Sequence, residues 1–200
     1  AALAADRGAA FARMQSHITV ETEKLRQQGL DGFEDRVRQM VDQQLRDFDA
    51  GFGQNQQVRQ RFAANMADLA GRSKASAALW AMGERAKAGA QNYDAMVQEQ
   101  GNALTLSPTP RDYEAAIGLA RTTLAAQKLR PADHAKAWSA TGDRLTGKLL
   151  EGYLATGQAD KAQALLESGF LNDKVSDVDR WRARIGTARE AAAREVELAQ

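Results

Sequence analysis

The 200-residue sequence has no cysteine, three prolines and two histidines, and only 6% of its residues are aromatic. Without cysteine it can form neither a disulfide scaffold nor a cysteine-ligated zinc or iron–sulfur site. Its formal net charge is +1, so the chain as a whole offers little attraction to nucleic-acid phosphates. No run of about 18 apolar residues occurs, and we expect no membrane span. The first twelve residues are too polar for a signal peptide.

Valine and isoleucine are also scarce, with eight and three residues against 40 alanines, 19 leucines and 17 glutamines. This composition favours helix and very little strand. Alanine buries little apolar surface, and burial stabilises by about 25 cal/mol per Å². We therefore predict an all-α chain with a thin core, which completes its burial against copies of itself or other proteins.

Apolar residues recur at spacings of three, four and seven and predict helices over residues 1–28, from Phe33 to about Gly51, and over 56–100. Gly71, Gly83 and Gly89 fall inside the third helix and indicate close helix contacts or a break. A chain that opens and closes within a helical pattern is expected to be a segment of a longer polypeptide.

A proline-rich stretch divides the sequence into three regions. Residues 1–100 form an N-terminal alanine- and glutamine-rich helical region, 101–109 a linker, and 110–200 a C-terminal region of helical hairpins. The linker is predicted because the residue before each proline is pushed into an extended conformation. Thr109 is then expected to cap a new helix, with Pro110 at its first position and Asp112 three residues after the cap.

Further helices are predicted from Pro131 to Gly157, from Ala159 to Glu167, and from Ser176 onward. The last helix has an apolar stripe that becomes mostly alanine from Ala188 to Ala199. The residues expected to lie largely inside are Phe33, Val37, Val41, Phe62, Tyr113, Ile117, Trp138, Leu149, Tyr153, Leu165 and Trp181.

No pattern of catalytic or metal-ligating residues occurs. The two histidines, His17 and His134, fall on different predicted helices, whereas a zinc site needs closely spaced ligands. There is no Gly-x-Ser-x-Gly nucleophile elbow, and Gly51-Phe52-Gly53 lacks the glycine and lysine of a phosphate-binding loop. We predict no catalytic, cofactor-binding or metal-binding residues, and no enzyme activity in this segment.

The most specific motif runs from Tyr153 to Leu166 and predicts a helix, a tight glycine turn and a second helix. It resembles the turn of a tetratricopeptide repeat, in which a small residue lets the second helix approach the first. No second copy occurs at a 34-residue offset. The fold is expected to be an array of antiparallel helical hairpins with this tetratricopeptide-like hairpin near its C-terminus, packed through Tyr153, Gly157, Ala162, Leu165 and Leu166.

The last predicted helix carries five arginines, among them Arg180 and Arg184, which share one face. Interleaved Asp and Glu residues favour a salt-bridged surface over a nucleic-acid interface. We consider this helix a possible partner-binding helix, with Arg180, Trp181, Arg184 and Ile185 as its candidate contact residues.

A longer resemblance covers residues 109–185. Its elements are Thr-Pro-x-x-Tyr at 109–113, Leu-Arg-Pro at 129–131, Leu-Leu-Glu-Gly-Tyr-Leu at 149–154, Thr-Gly-Gln-Ala-Asp-Lys-Ala at 156–162, and Trp181. Together they resemble the helical part of the large internal virion proteins, or ejection proteins, of tailed bacteriophages. The alanine- and glutamine-rich helices predicted over residues 1–100 are similar to helices of the same proteins. No muralytic domain is recognisable in this segment.

The resemblance implies a structural role in genome delivery. Such a protein would be packaged inside the capsid or associated with the portal, and would lie in the host cell envelope after ejection, where it helps to form a conduit. Its partners would be copies of itself and other virion proteins, such as the portal or other ejection proteins, with nucleic acid nearby only by proximity. No cofactor is implied.

Two alternatives remain open from the sequence. The hairpin at Tyr153 to Leu166 also suits a bacterial helical-repeat scaffold or adaptor that binds a protein partner. The helical pattern suits the accessory region of a peptidoglycan-cleaving lytic transglycosylase as well.

Overall fold

A computed structural model describes residues 2–171 and 176–198. This part of the chain folds into helices alone and contains no strand, which confirms the all-α prediction. The seven helices are α1 (Ala2–Gln27), α2 (Phe33–Ala50), α3 (Gln56–Leu106), α4 (Pro110–Ala126), α5 (Pro131–Ala155), α6 (Ala159–Glu167) and α7 (Val178–Leu198).

The start of α4 follows directly from its first residues. Thr109 is extended, with φ −137°, and its Oγ1 accepts a hydrogen bond from the Asp112 backbone N–H at 3.0 Å. Pro110 occupies the first helical position, where its missing N–H costs nothing. The predicted N-terminal cap is therefore confirmed.

The predicted linker at 101–109 is too long. α3 continues to Leu106, so only residues 107–109 lie between α3 and α4. Pro108 restricts the residue directly before it, not the preceding turns, and the Ser107 N–H still donates to the Ala103 carbonyl at 2.9 Å. Gly101 and Leu104 are buried on this last part of α3, which explains why it stays helical.

The prediction that the α3 glycines mark a helix break or close contacts between helices is also wrong. Gly71, Gly83 and Gly89 all lie within an uninterrupted helix. A β-carbon added at any of them would meet no described atom within 4 Å. These three glycines thus reduce helix propensity without allowing a closer helix approach.

Contacts between Cα atoms divide the chain into two compact units, Ala1–Ala88 and Gly89–Gln200. In the first unit α1 packs on α2, and the α3 residues up to Ala88 complete the core. At its centre Phe48 contacts Phe11, Phe52 and Phe62, with ring centroids 5.4, 5.1 and 5.7 Å away. Four aromatic rings therefore supply much of the apolar surface of this core, and only two of its ten buried residues are alanines.

In the second unit each of the helices α4 to α7 contacts the next along the chain. The end of α3 also contributes, through Tyr93, Val97 and Leu104. The largest fully buried side chains of this unit are Leu104, Tyr113, Leu124, Leu145, Leu149, Leu150, Leu171, Ile185 and Val97.

Two buried hydroxyl pairs cross this second core. The Tyr93 hydroxyl lies 2.7 Å from Thr141 Oγ1, and the Tyr113 hydroxyl lies 2.9 Å from Thr146 Oγ1. Burial raises the pKa of both tyrosines, although the hydrogen bond to each threonine acts in the opposite direction. Both phenols are therefore uncharged at neutral pH.

One glycine in the second unit does permit a close approach. A β-carbon on Gly152 of α5 would lie 2.5 Å from the Leu104 carbonyl oxygen and 2.9 Å from that of Thr105, both on α3. These are backbone atoms, which cannot rotate away as a side chain can. Any larger residue in place of Gly152 would push α3 and α5 apart at this point.

Most of the residues predicted to be inside are buried. Seven of the eleven are below a tenth exposed, namely Phe33, Val37, Val41, Tyr113, Ile117, Leu149 and Tyr153. The other four, Phe62, Trp138, Leu165 and Trp181, are partly buried and pack against the edge of a core.

Candidate interaction surface

The motif from Tyr153 to Leu166 folds as the end of α5, a three-residue turn and α6. Gly157 has φ +70°, a left-handed conformation that favours glycine. The turn is closed by the Gly157 N–H, which donates to the Leu154 carbonyl at 3.2 Å, and by the Gln158 N–H, which donates to the Tyr153 carbonyl at 2.7 Å. Gly157 itself is exposed, so its role is in the turn and not in the core.

The two helices meet through the apolar residues that the motif singled out. Tyr153, Ala162 and Leu166 are buried, and Leu165 is half-buried. Burial also raises the pKa of Tyr153. Ala162 has no exposed surface, which leaves no room beside it for a larger side chain.

We expect Ala162→Phe to destabilise the second unit by about 1–3 kcal/mol, because an aromatic ring at this position must push α6 away from its neighbours. Thermal and denaturant unfolding followed by circular dichroism would measure the loss. Ala164→Phe is the matched control, since Ala164 lies on the exposed side of the same helix. Equal stability of Ala162→Phe and the wild-type chain would contradict the close packing.

The candidate partner-binding residues of α7 divide between core and surface. Ile185 is fully buried and anchors α7. Trp181 is half-buried, and a β-carbon on Gly147 of α5 would lie 3.4 Å from its Cζ2, so the indole rests on α5 at that glycine. The Arg184 guanidinium lies over the same indole at 4.5 Å, and Arg180 is exposed.

Four of the five α7 arginines have carboxylate partners. Arg182 contacts Asp179 at 3.0 Å, Arg184 contacts Glu151 at 3.7 Å, Arg189 contacts Asp160 at 2.7 Å, and Arg194 contacts Glu190 at 3.9 Å. Arg180 makes no ion pair with any residue of 2–171 or 176–198. This largely paired pattern matches the expected salt-bridged surface.

A groove of about 320 Å³ lies between α5 and the start of α7, and we call it the α5–α7 groove. Trp181 forms part of its wall. Its remaining lining residues are Asp143, Arg144, Gly147, Lys148, Glu151, Ser176, Asp177, Arg180 and Arg184. The α5 side of this groove was not predicted, although the basic residues Arg144 and Lys148 stand one turn apart in the sequence and could have indicated a basic helix face.

The second half of α7 is largely exposed. Val196 and Leu198 are 60% and 87% exposed. Ala199, the last position of the predicted alanine stripe, lies outside the described residues.

His17 lies on α1 in the first unit and His134 on α5 in the second. Over residues 2–171 and 176–198, no group of three or more His, Asp or Glu side chains could hold a metal ion. None of the described helices combines the length and the apolar character needed to cross a membrane.

Comparison of the sequence and the fold with protein-family models, curated proteins and solved structures found no match.

Proposed function

We propose that this chain is a structural, non-enzymatic part of a tailed-bacteriophage virion, an internal protein ejected with the genome. The observation that carries the proposal is the resemblance over residues 109–185. Its segments coincide with boundaries of the fold: Thr109 caps α4, Pro131 begins α5, and residues 156–158 form the turn into α6. Because these motif segments fall at helix boundaries, they support the proposal that residues 109–185 form one structural unit.

The architecture we propose for this region is a series of antiparallel helical hairpins. α4, α5 and α6 each contact the next helix, and short connections of four and three residues join them. Short connections between contacting helices favour antiparallel neighbours. The α5–α6 turn, with Gly157 in a left-handed conformation and the buried Ala162 after it, is the tetratricopeptide-like element.

Alanine contacts between helices suit a protein that must change its packing during delivery. Buried alanines such as Ala77, Ala81 and Ala116 contribute little apolar surface each. At these positions the helices can therefore separate at lower cost than at leucine contacts, and can pack again against copies or neighbouring virion proteins. In this proposal the chain lies inside the capsid or beside the portal, and after ejection it forms part of a conduit through the host envelope.

Mass spectrometry of purified virions from the phage that encodes the chain would test this proposal. We expect the chain to be present in DNA-filled particles, protected from added protease, and absent from the supernatant after particles are removed. A major capsid protein serves as the internal standard for copy number. Virions that lack the chain would refute the proposal.

We also expect the purified chain to show no peptidoglycan cleavage in a turbidity assay with isolated cell walls. Lysozyme added to the same walls is the positive control. Sustained turnover by the chain would favour the lytic transglycosylase alternative and contradict a purely structural role.

A further inference from the structure

Residues 82–92 of α3 separate the two hydrophobic cores along the chain. Trp80 and Ala81 pack in the first core, and Tyr93 is the first α3 residue of the second. The structure describes all of residues 82–92, and none of them is buried or belongs to either core. The boundary between the two compact units falls within this stretch, after Ala88. Most helices in proteins are stabilised by tertiary packing, which contributes little here.

The helix propensity of this stretch is mixed. Its three alanines are the best helix formers, whereas Gly83 and Gly89 are the poorest apart from proline. A β-carbon added at either glycine would meet no described atom within 4 Å, so packing does not require glycine there. Gly101 of the same helix differs, because its added β-carbon would lie 3.0 Å from Lys148 Cγ. Gly83 and Gly89 therefore act on helix stability alone.

Among the described residues, two polar contacts join the stretch to other helices. The Arg85 guanidinium pairs with Glu34 of α2, and both side chains are more than a third exposed. An exposed ion pair of this kind contributes little to stability. The Gly89 carbonyl accepts a hydrogen bond at 3.0 Å from Nε2 of Gln127, which directly follows α4. Both contacts lie outside the cores, so their loss leaves the apolar packing of both units intact.

The helix in this stretch depends on the packed parts of α3 that continue it at both ends. Isolated helices shorter than about 12–15 residues are marginal in water, and residues 82–92 are fewer than that. Opening the stretch exchanges intrahelical hydrogen bonds for bonds to water and exposes no core side chain. Opening the turns next to it would expose Ala81 or Tyr93, both of which are buried. Local opening is therefore easier within 82–92 than in the turns on either side.

We propose that residues 82–92 form a conformational hinge, which opens to coil and closes again while both cores stay folded. We call this stretch the α3 hinge. The continuous helix described above is its closed state, and Gly83 and Gly89 determine how often it opens. When the hinge is open, flexible backbone joins the two units, so each can change its contacts separately. The inference goes beyond the virion role and does not depend on it, because it uses only the burial and composition of α3.

Native-state hydrogen exchange of the 200-residue chain would test the α3 hinge. We expect amides of residues 82–92 to exchange at least about tenfold faster than those of 93–104 in the same helix, while α2 and α5 stay protected. Gly83→Ala and Gly89→Ala should each slow exchange of the hinge by about fivefold, which corresponds to the difference of about 1 kcal/mol in helix propensity.

Gly71→Ala is the matched control. Gly71 lies in the same helix but outside the hinge, and its added β-carbon also meets no described atom within 4 Å. This variant should leave exchange of residues 82–92 unchanged, because local opening of the hinge does not involve residue 71. Ala88→Gly makes the reverse change inside the hinge and should speed its exchange by about fivefold. Circular dichroism of each variant verifies that the helices are intact.

Trypsin provides a second measurement, because Arg85 and Lys87 lie within the α3 hinge. We expect cleavage after one of these residues before cleavage inside α1, α2, α4 or α5, and slower cleavage in the double variant Gly83→Ala/Gly89→Ala. Hinge amides that exchange no faster than those of 93–104, or that exchange only when both cores do, would overturn the proposal. Exchange at the same rate in the glycine variants and the wild-type chain would overturn it as well.

Discussion

Gly152→Ala is expected to destabilise the second unit by about 1–3 kcal/mol, although alanine is the better helix former. The added β-carbon would lie 2.5 Å from the Leu104 carbonyl oxygen, so α5 and the end of α3 must move apart. Urea unfolding followed by circular dichroism would measure the change, and hydrogen exchange would locate it in α3 and α5.

Gly118→Ala makes the same substitution in α4 with the opposite expected result. No described atom lies within 4 Å of the added β-carbon, so the gain in helix propensity, up to about 1 kcal/mol, should appear as increased stability. If both variants were stabilised, the close contact between α5 and α3 would be wrong.

Phe48→Ala should cost the first unit about 3–5 kcal/mol, because it removes the ring that contacts three other rings and leaves a cavity among them. Such a loss is a large fraction of the roughly 5–15 kcal/mol that stabilises a typical domain. We expect hydrogen-exchange protection in α1 and α2 to fall sharply.

Leu79→Ala provides the comparison within the same unit. Leu79 is 69% exposed, and its truncation should change stability by less than about 0.5 kcal/mol. Protection of α1 and α2 that is as high in Phe48→Ala as in Leu79→Ala would show that the four rings do not hold this unit together.

Helix boundaries were the most predictable part of the fold, because local chemistry sets them. Thr109, Pro110 and Pro131 act within one or two residues of where they stand, and the structure begins α4 and α5 there. The same locality explains the error at 101–106. A proline restricts its immediate predecessor, whereas burial of Leu104 against other helices decides the turns before it.

The role of a glycine inside a helix could not be predicted from the sequence. Gly83 and Gly152 both lie inside helices, but only Gly152 faces the backbone of another helix. That difference depends on which helices meet, and apolar spacing indicates the buried face of a helix without identifying its neighbour. Ala162 was predictable because the motif contains both helices of the contact.

The candidate site could also be predicted only in part, because the sequence does not show which helices meet. The α7 half of the α5–α7 groove, with Trp181 and Arg184, could be predicted from one helix alone. Its α5 half, with Arg144 and Lys148, stands more than thirty residues earlier and joins the site only through the fold.

The two buried hydroxyl pairs help to fix the register of α5 against its neighbours in the second unit. The buried face of α5 is made largely of Leu145, Leu149, Leu150 and Tyr153, and apolar contacts of this kind are less directional than hydrogen bonds between buried polar groups. Tyr93 with Thr141 and Tyr113 with Thr146 meet in one register only. A shift of α5 by one turn would separate the tyrosine and threonine hydroxyls of both pairs, and a buried hydroxyl that loses its partner costs about 1–3 kcal/mol. The two hydroxyl pairs therefore add a polar constraint on register to the leucine packing of α5.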